Sequence, residues 1–237
     1  MQQSSPYGQP QVQMPQPGQP FPPQAEAQPR AYHHHHQHAM PMSAAIIDNR
    51  YCIGAPTQLI LQEQYSFSGD DFTAYDHSGR LWFKIDAAAF SWSQRRTLID
   101  CYGMPVACIS RKHMSLHGTW NLYRGDGSQL LCTIKPPIMS LRPKIKVYLG
   151  GRDDGEPEYV AYGNFLAKKF QICKVVGGQE VVVAEAQKES SFASFSSYFN
   201  SSNGIHRYFL TIQPNVDAAF IVALCATIDE IFHDQKQ

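Results

Sequence analysis

The most constraining feature of this 237-residue chain lies near its end, in Asn215 to Phe232, read as NVDAAFIVALCATIDEIF. No charged side chain occurs between Asp217 and Asp229, and Phe220, Ile221, Val222, Leu224, Cys225 and Ile228 leave no polar stripe at a 3.6-residue period. A helix on a protein surface keeps one polar face, so a helix apolar all round has to be enclosed. Pro214 bars a helix from entering upstream, Asn215 is the expected cap, and Asp217 suits the positive end of the helix dipole. The uncharged run is about 11 residues, short of the roughly 20 that cross a bilayer, so protein rather than lipid must surround it. At about 1.5 Å per residue the whole segment is about 27 Å long, enough to fill a barrel from end to end.

The material for that enclosure comes from residues 46–237, expected to form one domain. Residues 1–42 hold nine of the sixteen prolines, many glutamines, a His33 to His36 run and almost no aliphatic side chains. Such a segment buries too little to offset its ordering entropy and is expected to be a disordered tail. Its prolines suit docking to an aromatic-groove protein partner, and no metal site is assigned to the His run. The N-terminus lacks a basic region followed by an apolar one, so no secretory signal is expected, nor any transmembrane span. The six cysteines show neither C-x-x-C spacing nor a paired pattern and several sit in apolar runs, which fits reduced thiols and a cytoplasmic location, free or peripheral to a membrane.

From Thr57 onward short strands alternate with turns: 57–65, 71–76, 80–86, 95–101, 104–112, 118–124, 129–135, 142–149, 158–163, 169–176, 179–187 and 206–213. Gly-bearing connections such as Asp76-His77-Ser78-Gly79 and Gly177-Gly178 are hairpin-sized. About twelve antiparallel strands and one apolar helix predict a mainly β fold: a closed barrel wrapped around the helix, with Phe220, Ile221, Leu224, Cys225 and Ile228 in its core.

Net charge is zero but uneven, because residues 95–146 carry nine Lys and Arg against two acids. A basic segment in a neutral chain favours an anionic partner. Within it, Leu141 to Leu149 alternates: Leu141, Pro143, Ile145, Val147 and Leu149 share one face, and Arg142, Lys144, Lys146 and Tyr148 the other. Three cations on one face can meet several phosphates, although the same pattern keeps any barrel strand soluble and discourages edge pairing. Arg111 and Lys112, with Arg95 and Arg96, are expected on a neighbouring hairpin where one of each pair can extend the patch. The loop Gly151 to Glu158 clusters four carboxylates but lacks the spacing of a calcium loop and reads as solvated. Phe192, Phe195 and Phe199, in a Ser-rich stretch, are spaced for one side of a short helix that covers a barrel mouth or enters a lipid interface. No G-x-S-x-G, Walker A, G-x-G-x-x-G or H-E-x-x-H pattern occurs, so no catalytic residue and no cofactor is expected. His113 and His117 fall in a hairpin connection, where helical i, i+4 spacing has no meaning.

The run Arg95-Arg96-Thr97-Leu98-Ile99-Asp100, Gly103-Met104-Pro105-Val106, Ser110-Arg111-Lys112, Ser115-Leu116-His117, Trp120 and Tyr123-Arg124-Gly125 closely resembles the pattern of the LURP-one-related family, as does the closing Val216 to Leu224 with Ile228 to Ile231. The likeness spans roughly Tyr51 to Phe232. It implies the Tubby C-terminal-like fold, a twelve-stranded barrel around a hydrophobic C-terminal helix, shared with Tubby proteins and phospholipid scramblases. It also implies a non-catalytic module, since the family carries no established catalytic residues. Tubby domains bind phosphatidylinositol bisphosphate through basic barrel residues, which favours a phosphoinositide or other anionic phospholipid as partner, or a protein bound by the same face. Scramblase-like lipid transport is the alternative, opposed by the short helix. Nucleic acid is disfavoured, because electrostatic attraction alone carries no sequence preference.

Overall fold

The computed structural model describes residues 45–66, 69–87, 95–115, 118–137, 143–188 and 205–234. Twelve antiparallel strands form a closed barrel: β1 (Thr57–Ser66), β2 (Gly69–Tyr75), β3 (Leu81–Ala87), β4 (Arg96–Asp100), β5 (Pro105–Arg111), β6 (Trp120–Arg124), β7 (Leu130–Lys135), β8 (Lys144–Leu149), β9 (Tyr159–Asn164), β10 (Lys169–Val176), β11 (Gln179–Lys188) and β12 (Ile205–Ile212). Each strand pairs with its sequence neighbours, and β1 closes the ring on β12 through Thr57↔Ile212 to Gln64↔Ile205. This is the architecture that the strand periodicity and the family resemblance both led to. Closure leaves no edge to protect.

The turns have a shared local chemistry. Asp76 accepts from the backbone N–H groups of Ser78 and Arg80 and from Trp82 Nε1, and Gly79, at φ 80°, donates to the Asp76 carbonyl. Burial works against the Asp76 charge, yet these donors and Arg80 hold its carboxyl below the ordinary range. Asp100 repeats the arrangement, taking Tyr102 and Met104 N–H on one oxygen and the Tyr51 hydroxyl, at 3.0 Å, on the other. The side chain therefore supplies turn hydrogen bonds and ties the segment before β1 to the barrel.

The helix α1 (Ala218–Asp234) runs inside the barrel, and Phe220, Ile221, Leu224, Cys225 and Ile228 are all buried to within 1 %. Phe220 packs on Tyr159 with ring centroids 5.0 Å apart. Thr227, the polar residue in the enclosed stretch, satisfies its hydroxyl by donating to the Ala223 carbonyl at 2.8 Å. The cap differs from the expectation. Asp217, not Asn215, caps α1: its Oδ1 accepts Phe220 N–H at 3.1 Å, and its Oδ2 accepts Ile47 N–H at 2.7 Å and Asp48 N–H at 3.2 Å. Asn215 stands in the left-handed region at φ 60°, turning the chain from β12 into the barrel. One carboxylate thus starts the helix and pins the preceding segment; burial pushes its pKa up while the backbone donors hold it down.

The other end of α1 is fixed by charges. Lys168 Nζ lies 2.6 Å from Asp229 Oδ1 and 3.1 Å from Glu63 Oε2, and the Tyr208 hydroxyl donates to Asp229 Oδ2 at 3.0 Å. Glu230 pairs with Arg96 at 2.8 Å. Burial pushes Asp229 up to about 6, with Lys168 opposing and Glu63 reinforcing. Burial also works against the Lys168 charge, but the two carboxylates outweigh it and its pKa rises. All six cysteines are free, and Cys108, Cys132, Cys173 and Cys225 are buried.

Candidate functional site

Strand register places the basic side chains. Ile145 and Val147 point into the barrel and are fully buried, so Lys144, Lys146 and Tyr148 lie on the outer face of β8, in the phase that alternation gives. Across the ladder, Lys135 on β7 stands directly opposite Lys146, and Lys144 opposite Tyr162 on β9. On the far side of β7, Trp120 pairs with Ile134, so the register continues Thr119 to the level of Lys135. Lys112 N–H donates to the Thr119 carbonyl at 2.8 Å, which carries the same level onto the strand end of β5. Lys112, Thr119, Lys135 and Lys146 therefore form one row across four adjacent strands, about 5 Å per step.

Two tyrosines floor this row. Lys135 Nζ sits 5.5 Å from the Tyr148 ring centroid and Lys144 Nζ 5.3 Å from that of Tyr162. In both it is the ammonium that stands over the ring, and each such contact adds about 0.5–1 kcal/mol at an exposed site. Tyr162 is held high, up to about 12, by its hydrogen bond with Cys173 and then by burial. Ammonium–acid contacts limit the free charge: Lys144 pairs with Glu180 at 2.7 Å and Lys112 with Asp153 at 3.7 Å. Lys146 is exposed and, among the described residues, makes no ion pair with an acid.

The other expected members of the patch go elsewhere. Arg142 lies outside the described residues. Arg111 stands opposite Trp120, in the inward phase at the barrel rim, beside Gly118, so only Lys112 of that pair joins the outer row. Two strands, β6 and β7, separate the hairpin of β4 and β5 from β8, so that hairpin is not its neighbour. Arg96 turns inward to Glu230 of α1, and Arg95 Nε lies 2.9 Å from Cys108 Sγ. Neither extends the patch. Lys135 is the member that sequence reasoning missed as a site residue: its charge was countable, but its place beside Lys146 depends on register, which no single strand encodes. Phe192, Phe195, Phe199, His117 and the His33 to His36 run lie outside the described residues.

The acidic loop between β8 and β9 is exposed from Gly151 to Glu156, in line with the solvated reading, and it also makes specific contacts with the barrel. It leaves β8 at the level of Leu131, where Gly150 N–H donates to the Leu131 carbonyl. It then returns along the outer face, so that the Asp153 carbonyl accepts from Lys135 Nζ and the Asp153 carboxylate meets Lys112. Tyr148 is only 4 % exposed although it points outward. Burial, then Asp154 and Asp153, push its phenol up. Arg152 pairs with Glu158, whose second oxygen accepts Leu149 N–H at 2.9 Å, fixing both ends of the loop. Among the described residues no three His, Cys, Asp or Glu side chains converge as metal ligands, and no helix is long and apolar enough to cross a membrane.

Known proteins share this arrangement of strands and helix. The chain is 28 % identical over 198 residues to Protein LURP-one-related 15 of Arabidopsis thaliana, covering 81 % of this chain and 87 % of that protein. It is 29 % identical over 201 residues to Protein LURP-one-related 10 of the same plant, covering 81 % and 99 % respectively. An X-ray structure of an Arabidopsis thaliana protein matches with a TM-score of 0.59 at 23 % identity, over 80 % of this chain and 99 % of that one, a likeness of fold. The family model described as LURP-one-related matches residues 57–229, from the first barrel strand to the last turns of the enclosed helix, and the chain belongs to the LURP-one-related family.

Proposed function

We propose that this domain is a non-catalytic module that binds a phosphorylated lipid headgroup at a membrane surface through Lys112, Lys135 and Lys146, with Lys144 at the margin. The observation that carries the reading is the Lys135↔Lys146 cross-strand pair. Like charges directly opposite each other destabilise a sheet, by an amount within the roughly 0.2–1 kcal/mol range of such pairs. A phosphate between them turns that repulsion into two charge-assisted hydrogen bonds. Lys112, in the same row, offers a further contact to a second phosphate, while the buried Thr119 spaces it from Lys135.

The affinity is modest by construction. Each cation near an anionic leaflet contributes about 1 kcal/mol, so three give reversible binding that depends on salt. Co-sedimentation with phosphatidylcholine vesicles, with and without about 5 mol % phosphatidylinositol bisphosphate, tests the reading. Lys135→Ala/Lys146→Ala is expected to weaken binding about 30-fold, two cations at about 1 kcal/mol each. A parallel titration with soluble inositol trisphosphate distinguishes headgroup recognition from attraction to the bilayer. Equal vesicle binding by wild type and the double variant rules out this surface.

A further inference from the structure

The loop Gly150–Glu158 is longer than the other described hairpin connections, and its path is what needs explaining. Lys135 ends β7, while the loop departs beside Leu131, four residues earlier and so about 13 Å away along the strand. A loop with four carboxylates that simply stayed in water would extend from the barrel end. Instead it doubles back and sets Asp153 between Lys112 and Lys135, over the row occupied by Thr119. The carboxylate and the carbonyl of one residue face the two ammonium groups that a phosphate in this row would meet.

We propose that the Gly150–Glu158 loop is a tethered competitor, with Asp153 occupying the lysine row in place of a phosphate and withdrawing when an anionic headgroup binds. This rests on the phosphate-binding reading of the same row. The contact is suited to exchange. Lys112 and Asp153 are 49 % and 51 % exposed at 3.7 Å, a weak and screened pair that a doubly charged phosphate displaces. Apart from the Asp153 contacts, the loop is anchored among the described residues at its base, by Gly150 N–H on the Leu131 carbonyl, by Arg152 on Glu158 and by Glu158 on Leu149 N–H. Asp153, Asp154 and Glu156 lie beyond that anchor and are exposed. Glycines at its start, Gly150 at φ 67° and Gly151 at φ 78°, form the reversal that aims it back along the barrel. Withdrawal uncovers Tyr148, the ring beneath Lys135.

The test compares the full chain with Asp153→Asn/Asp154→Asn/Glu156→Gln, which removes the competing charges and leaves the Glu158 anchor in place. Two readouts are needed. In co-sedimentation with vesicles containing about 5 mol % phosphatidylinositol bisphosphate, the variant is expected to bind about fivefold tighter. In the absence of lipid, acylation of Lys112, the lysine that meets the Asp153 carboxylate, by an amine-reactive ester, read by peptide mass spectrometry, is expected to be about twofold faster in the variant, with exposed Lys188 as the unchanged reference. Vesicle binding that is equal in the two proteins, or weaker in the variant, overturns the competitor while leaving the headgroup reading intact. If neither protein binds vesicles, the headgroup reading fails, and acylation alone decides: faster reaction keeps Asp153 as the occupant of the row, and unchanged rates overturn it.

Discussion

Replacing Lys168 with Met removes a cation that bridges two buried carboxylates, one of which has a perturbed proton equilibrium. Asp229 has an ordinary pKa of 3.8 and a folded value of about 6, raised chiefly by burial. The native state therefore holds that proton more tightly than the unfolded chain. Its contribution to stability is full below pH 3.8 and declines as pH rises to about 6, by about 3 kcal/mol at 1.36 kcal/mol per unit. Without Lys168, which opposes the effect of burial, the folded pKa climbs further, so at about pH 7.5 Asp229 costs the variant more than the wild type. Glu63 loses the same ammonium, at 3.1 Å, and the total is about 3–5 kcal/mol, as for other buried pairs broken on one side. At about pH 5 Asp229 carries its proton in both proteins, and its share of the loss vanishes.

Urea denaturation followed by the fluorescence of the buried Trp82 and Trp120 measures both values. Lys168→Met should be strongly destabilised at about pH 7.5 and much less so at about pH 5, and Lys168→Met/Glu63→Gln/Asp229→Asn should recover most of the loss at the higher pH. An equal loss at both pH values would refute the proton-linked account and leave only lost packing of the lysine stem. No loss at the higher pH would mean that the cluster does not hold the helix end.

Three further outcomes follow from the same geometry. Asp217→Ala removes the α1 cap and the acceptor of Ile47 and Asp48 N–H together, so thermal denaturation should show a loss at the upper end of the roughly 0.5–2 kcal/mol cap range or beyond it. Gly125→Ala would set a Cβ 2.1 Å from the Pro105 carbonyl oxygen and 2.9 Å from Val106 N, backbone atoms that cannot yield without moving β5. Its urea midpoint should fall sharply, whereas Gly79→Ala meets no atom within 4 Å and pays only for its φ of 80°. Leu224→Ala, in the middle of the enclosed helix, should cost about 2–5 kcal/mol by denaturant titration.

The barrel was legible because its evidence is local and redundant. Period-two alternation, Gly-bearing turns and a helix with no polar face each restrict the fold, and together they leave a closed sheet around that helix. The cap was misread for a comparably local reason. Asn215 and Asp217 are both good caps by type, and the choice between them rests on Asn215 adopting φ 60° and on Ile47, 170 positions away in sequence, donating to Asp217. Alternation gave the outward phase of Lys144 and Lys146 but not that Glu180 would pair with the former, since β11 is three strands away around the barrel. Lys112 and Lys135 share a level only because Thr119 and Ile134 fix the registers of β5, β6 and β7. Charge counting found the segment; only tertiary register shows which of its cations align.

The enclosed helix and the lysine row place opposite demands on electrostatics, and the barrel wall separates them. Inside, Glu63, Asp229 and Tyr208 are buried and Lys168 reaches them from a partly exposed position, so each lost partner costs several kcal/mol. Outside, Lys112 and Asp153 are half exposed, their pairing is worth a fraction of that, and exchange of one anion for another leaves the fold untouched. The wall that divides them is a single strand thick: Ile134 and Val147 face the helix while Lys135 and Lys146, next to them in sequence, face water. A substitution in the row should therefore change anion binding with little change in the urea midpoint, and one in the inner cluster should do the reverse. A lysine-row variant that unfolded the barrel, or an inner-cluster variant that altered vesicle binding at full stability, would show that the two faces are coupled and that recognition is not confined to the outside.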